Sequence, residues 1–320
     1  MNRAVEATVE TALGWVERGT LGLLRPDPSR PCPVVFIVGA PRSGTTLLYQ
    51  AMLRRFRFVY FTNLGAAFYR APAFGQLIER LPLVGGRGAA AFESRFGRTR
   101  GRGGPHEAAR FWYRWFPSGD DVYVAPGSTP RGVLAELRRE IVGMIRAGGA
   151  PALFKNTYNS MRLAPLCEAF PEASFLICSR DLVDVARSIL RARLAETGGK
   201  EAWWSVPPRE YDRIRHHPYW RQVVEQAHFV CHQIAADRER LGAERFHEVR
   251  YPELCDDPRR QLERVAEFLA ERGVHPQLAG DLPERFVRSR SAGTGDDDDR
   301  IRRFAASDPS GWLEQPTRAP

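Results

Sequence analysis

"VVFIVGAPRSGTTLLYQAML", residues Val34 to Leu53, decides how the rest of the chain is read. Val34–Val38 is a continuous apolar, β-branched run of the kind that forms a buried parallel strand. Gly39 and Gly44 then bound a short polar loop, and Thr45–Arg55 has the pattern of a helix. A glycine-bounded loop between strand and helix wraps an anion, because the helix aims its free N–H groups and positive dipole end at it. In nucleoside-triphosphate enzymes, the residue after the second glycine is a lysine that reaches the β- and γ-phosphates, and the next Ser or Thr holds magnesium. Here Thr45 stands in the lysine position, and the cation of the loop is Arg42. Arg42, Ser43, Gly44, Thr45 and Thr46 are therefore candidates for holding an anion with one phosphate-like group. The same pattern argues against metal-assisted ATP hydrolysis. A ligand-free turn is the plainer alternative, but Arg-Ser-Gly-Thr-Thr is more polar than a turn requires.

Outward from this segment, strands alternate with helices. Phe58–Phe61, Ala152–Lys155, Ser174–Ser179 and Arg245–Val249 read as further strands. Arg131–Ala147, Met161–Phe170, Asp181–Leu194, Tyr219–Leu241 and Pro258–Glu271 read as helices, with Asp181 placed to cap its own. The alternation predicts an α/β fold with a mostly parallel sheet of about five strands, covered on both faces. Ligands in such folds bind beyond the carboxyl ends of the strands, so the loops after Val38, Lys155 and Ser179 are expected on one rim. Residues 1–30 form a helical extension that packs on the domain or lies on a membrane surface. Residues 31–284 are the main domain. Residues 285–320 are a polar tail, a possible part of a ligand lid, and its "GDDDDR" reads as solvated loop. Residues 85–105, rich in Gly and Arg, read as a mobile surface loop or lid.

The chain has 320 residues and a formal net charge of +9, with Arg used far more than Lys. The excess fits a small polyanionic ligand or a bland arginine-rich composition. Basic residues are not regularly interleaved with aromatics, so nucleic acid is not expected. The five cysteines, Cys32, Cys167, Cys178, Cys231 and Cys255, have no C-x-x-C spacing and no histidine cluster. That pattern predicts reduced thiols in a cytoplasmic protein and no metal. No apolar run approaches the length of a membrane span.

The loop motif then finds a partner. "PRSGTT" after an apolar strand resembles the 5′-phosphosulfate loop of the sulfotransferases that use 3′-phosphoadenosine 5′-phosphosulfate (PAPS). "FLICSRDLVDVARSIL" resembles the 3′-phosphate motif of the same family. In it, a strand-end arginine and a helix serine eight residues on bind that phosphate; here they are Arg180 and Ser188. The physics agrees, because a guanidinium at a strand end can form two bonds to a phosphate. The resemblance implies a P-loop-NTPase-like central sheet, PAPS as donor, 3′,5′-ADP as product and no metal. It implies that Lys155, at the end of "ALFK", lies near the transferring sulfuryl group. It also implies that Tyr251 of "VRYPELCDDP" touches the nucleotide. The family's adenosine-closing loop is poorly matched, and Arg288, Ser289 or Arg290 would replace it. The likeness runs from about Val34 to Leu269.

The cytosolic branch has a histidine base two residues after the strand-end lysine, where this chain has Thr157. A base must then come from elsewhere. Glu107 and His106, in "GRGGPHEAARFWYRWF", are the candidates, with Glu107 favoured. Arg42 and Lys155 would stabilise charge on the transferring group. The expected acceptor is a hydroxyl or amine of a small molecule, lipid or glycan. Trp112, Tyr113, Trp115, Trp203, Trp204, Tyr219 and Trp220 fit an aromatic pocket for it, or equally a core. His216-His217 reads as a solvated turn. Competing functions are a P-loop kinase and a non-catalytic nucleotide-binding protein.

Overall fold

The computed structural model describes residues 3–81, 92, 94–95, 98–289 and 295–313. In chain order the principal elements begin with α1 (Arg3–Leu24), β1 (Val34–Val38), α2 (Thr45–Arg55), α3 (Pro72–Glu79) and α4 (Arg131–Gly148). They continue with β2 (Ala152–Lys155), α5 (Leu163–Ala169), β3 (Ser174–Ser179), α6 (Leu182–Thr197) and α7 (Tyr219–Leu241). The last are β4 (Phe246–Arg250), α8 (Pro258–Glu271) and α9 (Asp296–Ala305). The four strands form one parallel sheet in the order β2-β1-β3-β4. Their carboxyl ends share one rim, as a parallel α/β sheet requires.

All five residues of β1 are buried, which is why the strand reads as a continuous apolar run. The pleat sends alternate side chains to opposite faces. Val34, Phe36 and Val38 join one core with Trp112, Phe154 and Phe175, over which α7 packs. Val35 and Ile37 join the other with Leu48, Met52, Leu262 and Leu269 from α2 and α8.

The structure corrects several sequence expectations. Phe58–Phe61 is not a strand. Val59 makes one parallel bridge to Ala152, while Arg57 N–H bonds Gln277 O, Tyr60 O accepts from the Gln76 amide, and Phe61 O accepts from His106 N–H. Val59 alone pairs with β2, its N–H on Pro151 O and its carbonyl on Leu153 N–H, while the carbonyls of Tyr60 and Phe61 go to a side chain and a loop, so the pairing stops at one bridge and the sheet has four strands. "GDDDDR" is not a loop but the first turn of α9. Four aspartates there complement the positive end of the helix dipole. Asp298 is buried against Arg187 and Arg302, and Asp297 binds Lys200 and Tyr219. The tail also inserts a fully buried Trp312, stacked on Phe304 at 4.5 Å. The described stretch 295–313 thus packs on the core through Ile301, Phe304 and Trp312.

His217 is likewise no solvated residue. It is buried, and its Nδ1 lies 2.8 Å from Glu225, which Arg221 also binds. Much of the Gly/Arg stretch at 85–105 lies outside the described residues. Its end is fastened: Asn63 donates to Thr99 O and Gly101 O, and Tyr60 donates to Gly103 O. The cysteines are free thiols, with Cys178 buried.

Candidate active site

The loop after β1 holds an unusual backbone. Gly39 and Gly44 have φ of 153° and 107°, and Arg42 sits in the left-handed region at 68°. A Cβ on Gly39 would lie 2.7 Å from Cys178 O, and one on Gly44 would lie 2.3 Å from the Tyr251 ring. Only glycine fits at either point. Ser160, in the turn after β2, accepts from Gly39 N–H and donates to Gly39 O, both at 3.1 Å. Cys178 Sγ donates to Ser43 O at 3.3 Å. The loop is therefore gripped by β2's continuation and by β3. Thr45 opens α2, so the first N–H groups of that helix face the loop's concave side.

A cleft of about 750 Å³ opens over the loop. At one end lie Arg42, Gly44, Arg180, Tyr251 and Ser289. The Arg180 guanidinium stacks on the Tyr251 ring at 4.6 Å, donates to Ser289 O and faces Asp184 at 3.5 Å. Tyr251 OH accepts from Ser289 N–H at 2.9 Å. Arg42 Nε donates to Ser188 Oγ at 3.0 Å. Burial, and then the charges of Arg191 and Arg180, push the Arg42 guanidinium below its usual range. Cations gathered under desolvation repel one another, and a bound polyanion relieves that repulsion.

At the other end lie Thr46, His106, Glu107, Lys155, Thr157 and Tyr158. Lys155 Nζ is ion-paired with Glu107 and donates to Thr46 Oγ1 at 3.3 Å. Asn156 Nδ2 donates to the Glu107 carbonyl at 3.0 Å and fixes that residue's backbone. His106 Nδ1 accepts from Ala108 N–H at 2.8 Å. Burial lowers the His106 pKa, with the Glu107 charge opposing. The neutral ring thus carries its proton on Nε2, which leaves it a donor rather than a proton acceptor. Glu107, half-buried at the cleft wall, keeps its carboxylate there.

Nearly all the sequence candidates meet here. Arg42, Gly44, Thr45, Thr46, His106, Glu107, Lys155, Arg180 and Tyr251 line the one cleft. Ser43 and Ser188 do not; both are buried just behind it. Of the replacement lid residues, Ser289 reaches Arg180, Arg288 pairs with Asp256, and Arg290 lies outside the described residues. The aromatic supply mostly packs on the core: Trp112 is fully buried, and Trp115, Trp203, Tyr219 and Trp220 lie half-buried against it, whereas Tyr113 is exposed beside the cleft residue Tyr158 and Trp204 lines the cleft. Sequence reasoning missed Ser160, Asn156 and Ser205. The first two stand in "FKNTYNSM", directly after a strand end, where the rim rule points. Ser205 lines the cleft with a left-handed φ of 71° and carries no sequence mark.

The residues fit an anionic group: Ser43 Oγ is buried with no hydrogen-bond partner among the described residues, next to the cation Arg42 in the chain. Among the described residues, no group of three or more His, Cys, Asp or Glu could hold a metal ion.

The chain is similar to sulfotransferase STF9 from Mycobacterium avium at 16% identity, over 91% of this chain and 73% of that one, with a TM-score of 0.49. It is similar to sulfotransferase STF1 from Mycobacterium tuberculosis H37Rv at 13% identity, over 82% and 72%, with a TM-score of 0.46. A sulfotransferase from Alicyclobacillus acidocaldarius matches at 18% identity, over 89% and 99%, with a TM-score of 0.43. None of these likenesses speaks to substrate. No curated protein matches the sequence. Residues 33–274 match the Sulfotransferase family, and the match spans most of the chain. The protein belongs to the sulfotransferase family.

Proposed function

We propose that the cleft binds PAPS and that the protein transfers its sulfuryl group to a hydroxyl or amine of a small-molecule, lipid or glycan acceptor. Family membership supports sulfuryl transfer. The observation that carries the finer reading is the polarity of the cleft. Arg42, Arg180 and Tyr251 gather at one end, and Thr46, Lys155 and Glu107 at the other. In this reading the loop and α2 N-terminus hold the 5′-phosphosulfate, and Arg180 with Ser188 holds the 3′-phosphate.

PAPS supplies a sulfur–oxygen bond to phosphate that breaks as the acceptor oxygen or nitrogen bonds to sulfur, leaving 3′,5′-ADP. Glu107 takes the acceptor proton, since its carboxylate faces the cleft while His106 offers only a donor. Lys155, buried and anchored on Thr46, steadies negative charge on the transferring oxygens. Its ammonium passes from Glu107 toward those oxygens as charge develops. Arg42, held by Ser188, serves the phosphate side.

The test compares thermal stabilisation by 3′,5′-ADP, ADP and ATP, with and without magnesium, and follows transfer from PAPS to an acceptor panel. Stabilisation by 3′,5′-ADP without magnesium, together with sulfated product, is expected. A magnesium-dependent preference for ATP would overturn the reading. Binding of 3′,5′-ADP with no sulfated product from any acceptor would favour a nucleotide-binding protein without turnover.

A further inference from the structure

α1 packs on α3 and α4 with one face and leaves the other open. Leu21 and Thr20 are buried. Val5, Val9, Ala12, Val16 and Leu23 are exposed. These positions recur at helical spacing and form one row along the outer face. Leu23 is 88% exposed, and Trp15, beside the row, is 66% exposed. Isolated exposed apolar residues need no explanation, but an aligned row does.

The charges of the helix are sorted against this row. Its three acids all turn away: Glu6 and Glu10 bind Arg110, Glu10 also binds Arg70, and buried Glu17 accepts from Ala73 N–H and Phe74 N–H. The outward cations are Arg18, whose guanidinium covers Trp15 at 4.8 Å, and exposed Arg25 just past the helix end. Neither has a carboxylate partner among the described residues. Asp27 follows, and it is paired with Arg30. The exposed face of the helix thus carries the apolar row along one edge, Trp15 toward its middle, Arg18 along the opposite edge and no outward acid, which matches the interface of an anionic bilayer. The chain's net charge of +9 acts in the same sense.

We infer that the outer face of α1 seats the protein on an anionic lipid surface. The helix lies along the headgroups, with the row dipped into the acyl boundary and Arg18 and Arg25 on lipid phosphates. It does not cross, since no described helix is long and apolar enough to span a membrane. A second copy of the chain is the competing occupant. Arg18 and Arg25 on this side would repel the same arginines of a second copy, whereas lipid phosphates attract both. The inference is independent of the proposed donor and acceptor, because none of these residues lines the cleft.

The experiment is flotation of the full chain with phosphatidylcholine vesicles, with and without about one-third phosphatidylglycerol, at low and high salt. The wild type should float with the anionic vesicles at low salt and release at high salt. The Val9→Glu/Val16→Glu double variant and Leu23→Glu should each bind at least about tenfold more weakly. Their melting temperatures and 3′,5′-ADP stabilisation should stay unchanged, since the substituted positions face solvent. No flotation of the wild type overturns the inference, as does a double variant that floats like the wild type. Light scattering that finds a wild-type dimer and a Val16→Glu monomer overturns it in favour of a second copy.

Discussion

Gly44 and Tyr251 fit each other so closely that a single methyl group on the glycine would stand 2.3 Å from ring carbon Cδ2. The same ring carries the Arg180 guanidinium, 4.6 Å from its centroid. One tyrosine therefore joins the loop to that guanidinium. Gly44→Ala must displace the ring and also adopt a φ of 107° that alanine resists. We expect a stability loss of about 1–3 kcal/mol and loss of 3′,5′-ADP binding, read by thermal melting with and without nucleotide. Tyr251→Ala should relieve the clash and recover only part of the stability in the Gly44→Ala background, since the φ of 107° stays strained and the stacking on Arg180 is lost.

Arg180→Ala separates the two phosphate assignments. Loss of a charge-assisted bond should weaken 3′,5′-ADP by about 1.5–3 kcal/mol, roughly 10- to 150-fold in Kd. Binding of 5′-AMP, which lacks the 3′-phosphate, should change much less. Equal losses in calorimetric titration would remove the 3′-phosphate from Arg180.

Glu107→Gln keeps the side chain's shape and removes the proton acceptor. We expect kcat to fall by about 10²- to 10⁴-fold, with the affinity for 3′,5′-ADP nearly intact. His106→Gln should leave most of kcat, because Nδ1 is already occupied by Ala108 N–H. A larger loss at His106 than at Glu107 would reverse their roles.

Glu17 gives a pH signature outside the cleft. Burial raises its carboxyl from 4.5 to about 7, against the opposing pull of the Ala73 and Phe74 N–H groups. Between pH 4.5 and 7 the folded state holds a proton that the unfolded state has released. Stability from this group is therefore fully present below 4.5 and is lost as pH rises through 7. The change corresponds to about 3 kcal/mol. Glu17→Gln should lose that slope in denaturant melts across the range. An unchanged slope would show that the carboxyl is not held against its ionisation.

The parallel sheet, the glycine-bounded loop and the strand–helix stretch that carries Arg180 and Ser188 were legible because each is written locally. A strand's apolar run, two glycines and an arginine eight residues before a serine lie within short stretches of chain. What was not legible depended on partners far away. Phe58–Phe61 has a strand's composition, yet Gln76 and His106 take the carbonyls of Tyr60 and Phe61. The aspartate run looked solvated because Arg187 and Lys200, which bind it, lie about a hundred residues upstream. Most of the aromatics near the cleft in sequence belong to the core, since chain proximity does not say which way a ring points. Ser160 carries no motif at all, and its role exists only once Gly39 lies beside it.

That last contact has a mechanical consequence. The hydroxyl of Ser160 holds both backbone groups of Gly39, and Ser160 follows β2, the strand that ends on Lys155. The anion cradle and the ammonium are thus mounted on one bracket. Their separation is a dimension of the sheet, set when the chain folds. A ligand spanning the two would meet a gauge already cut.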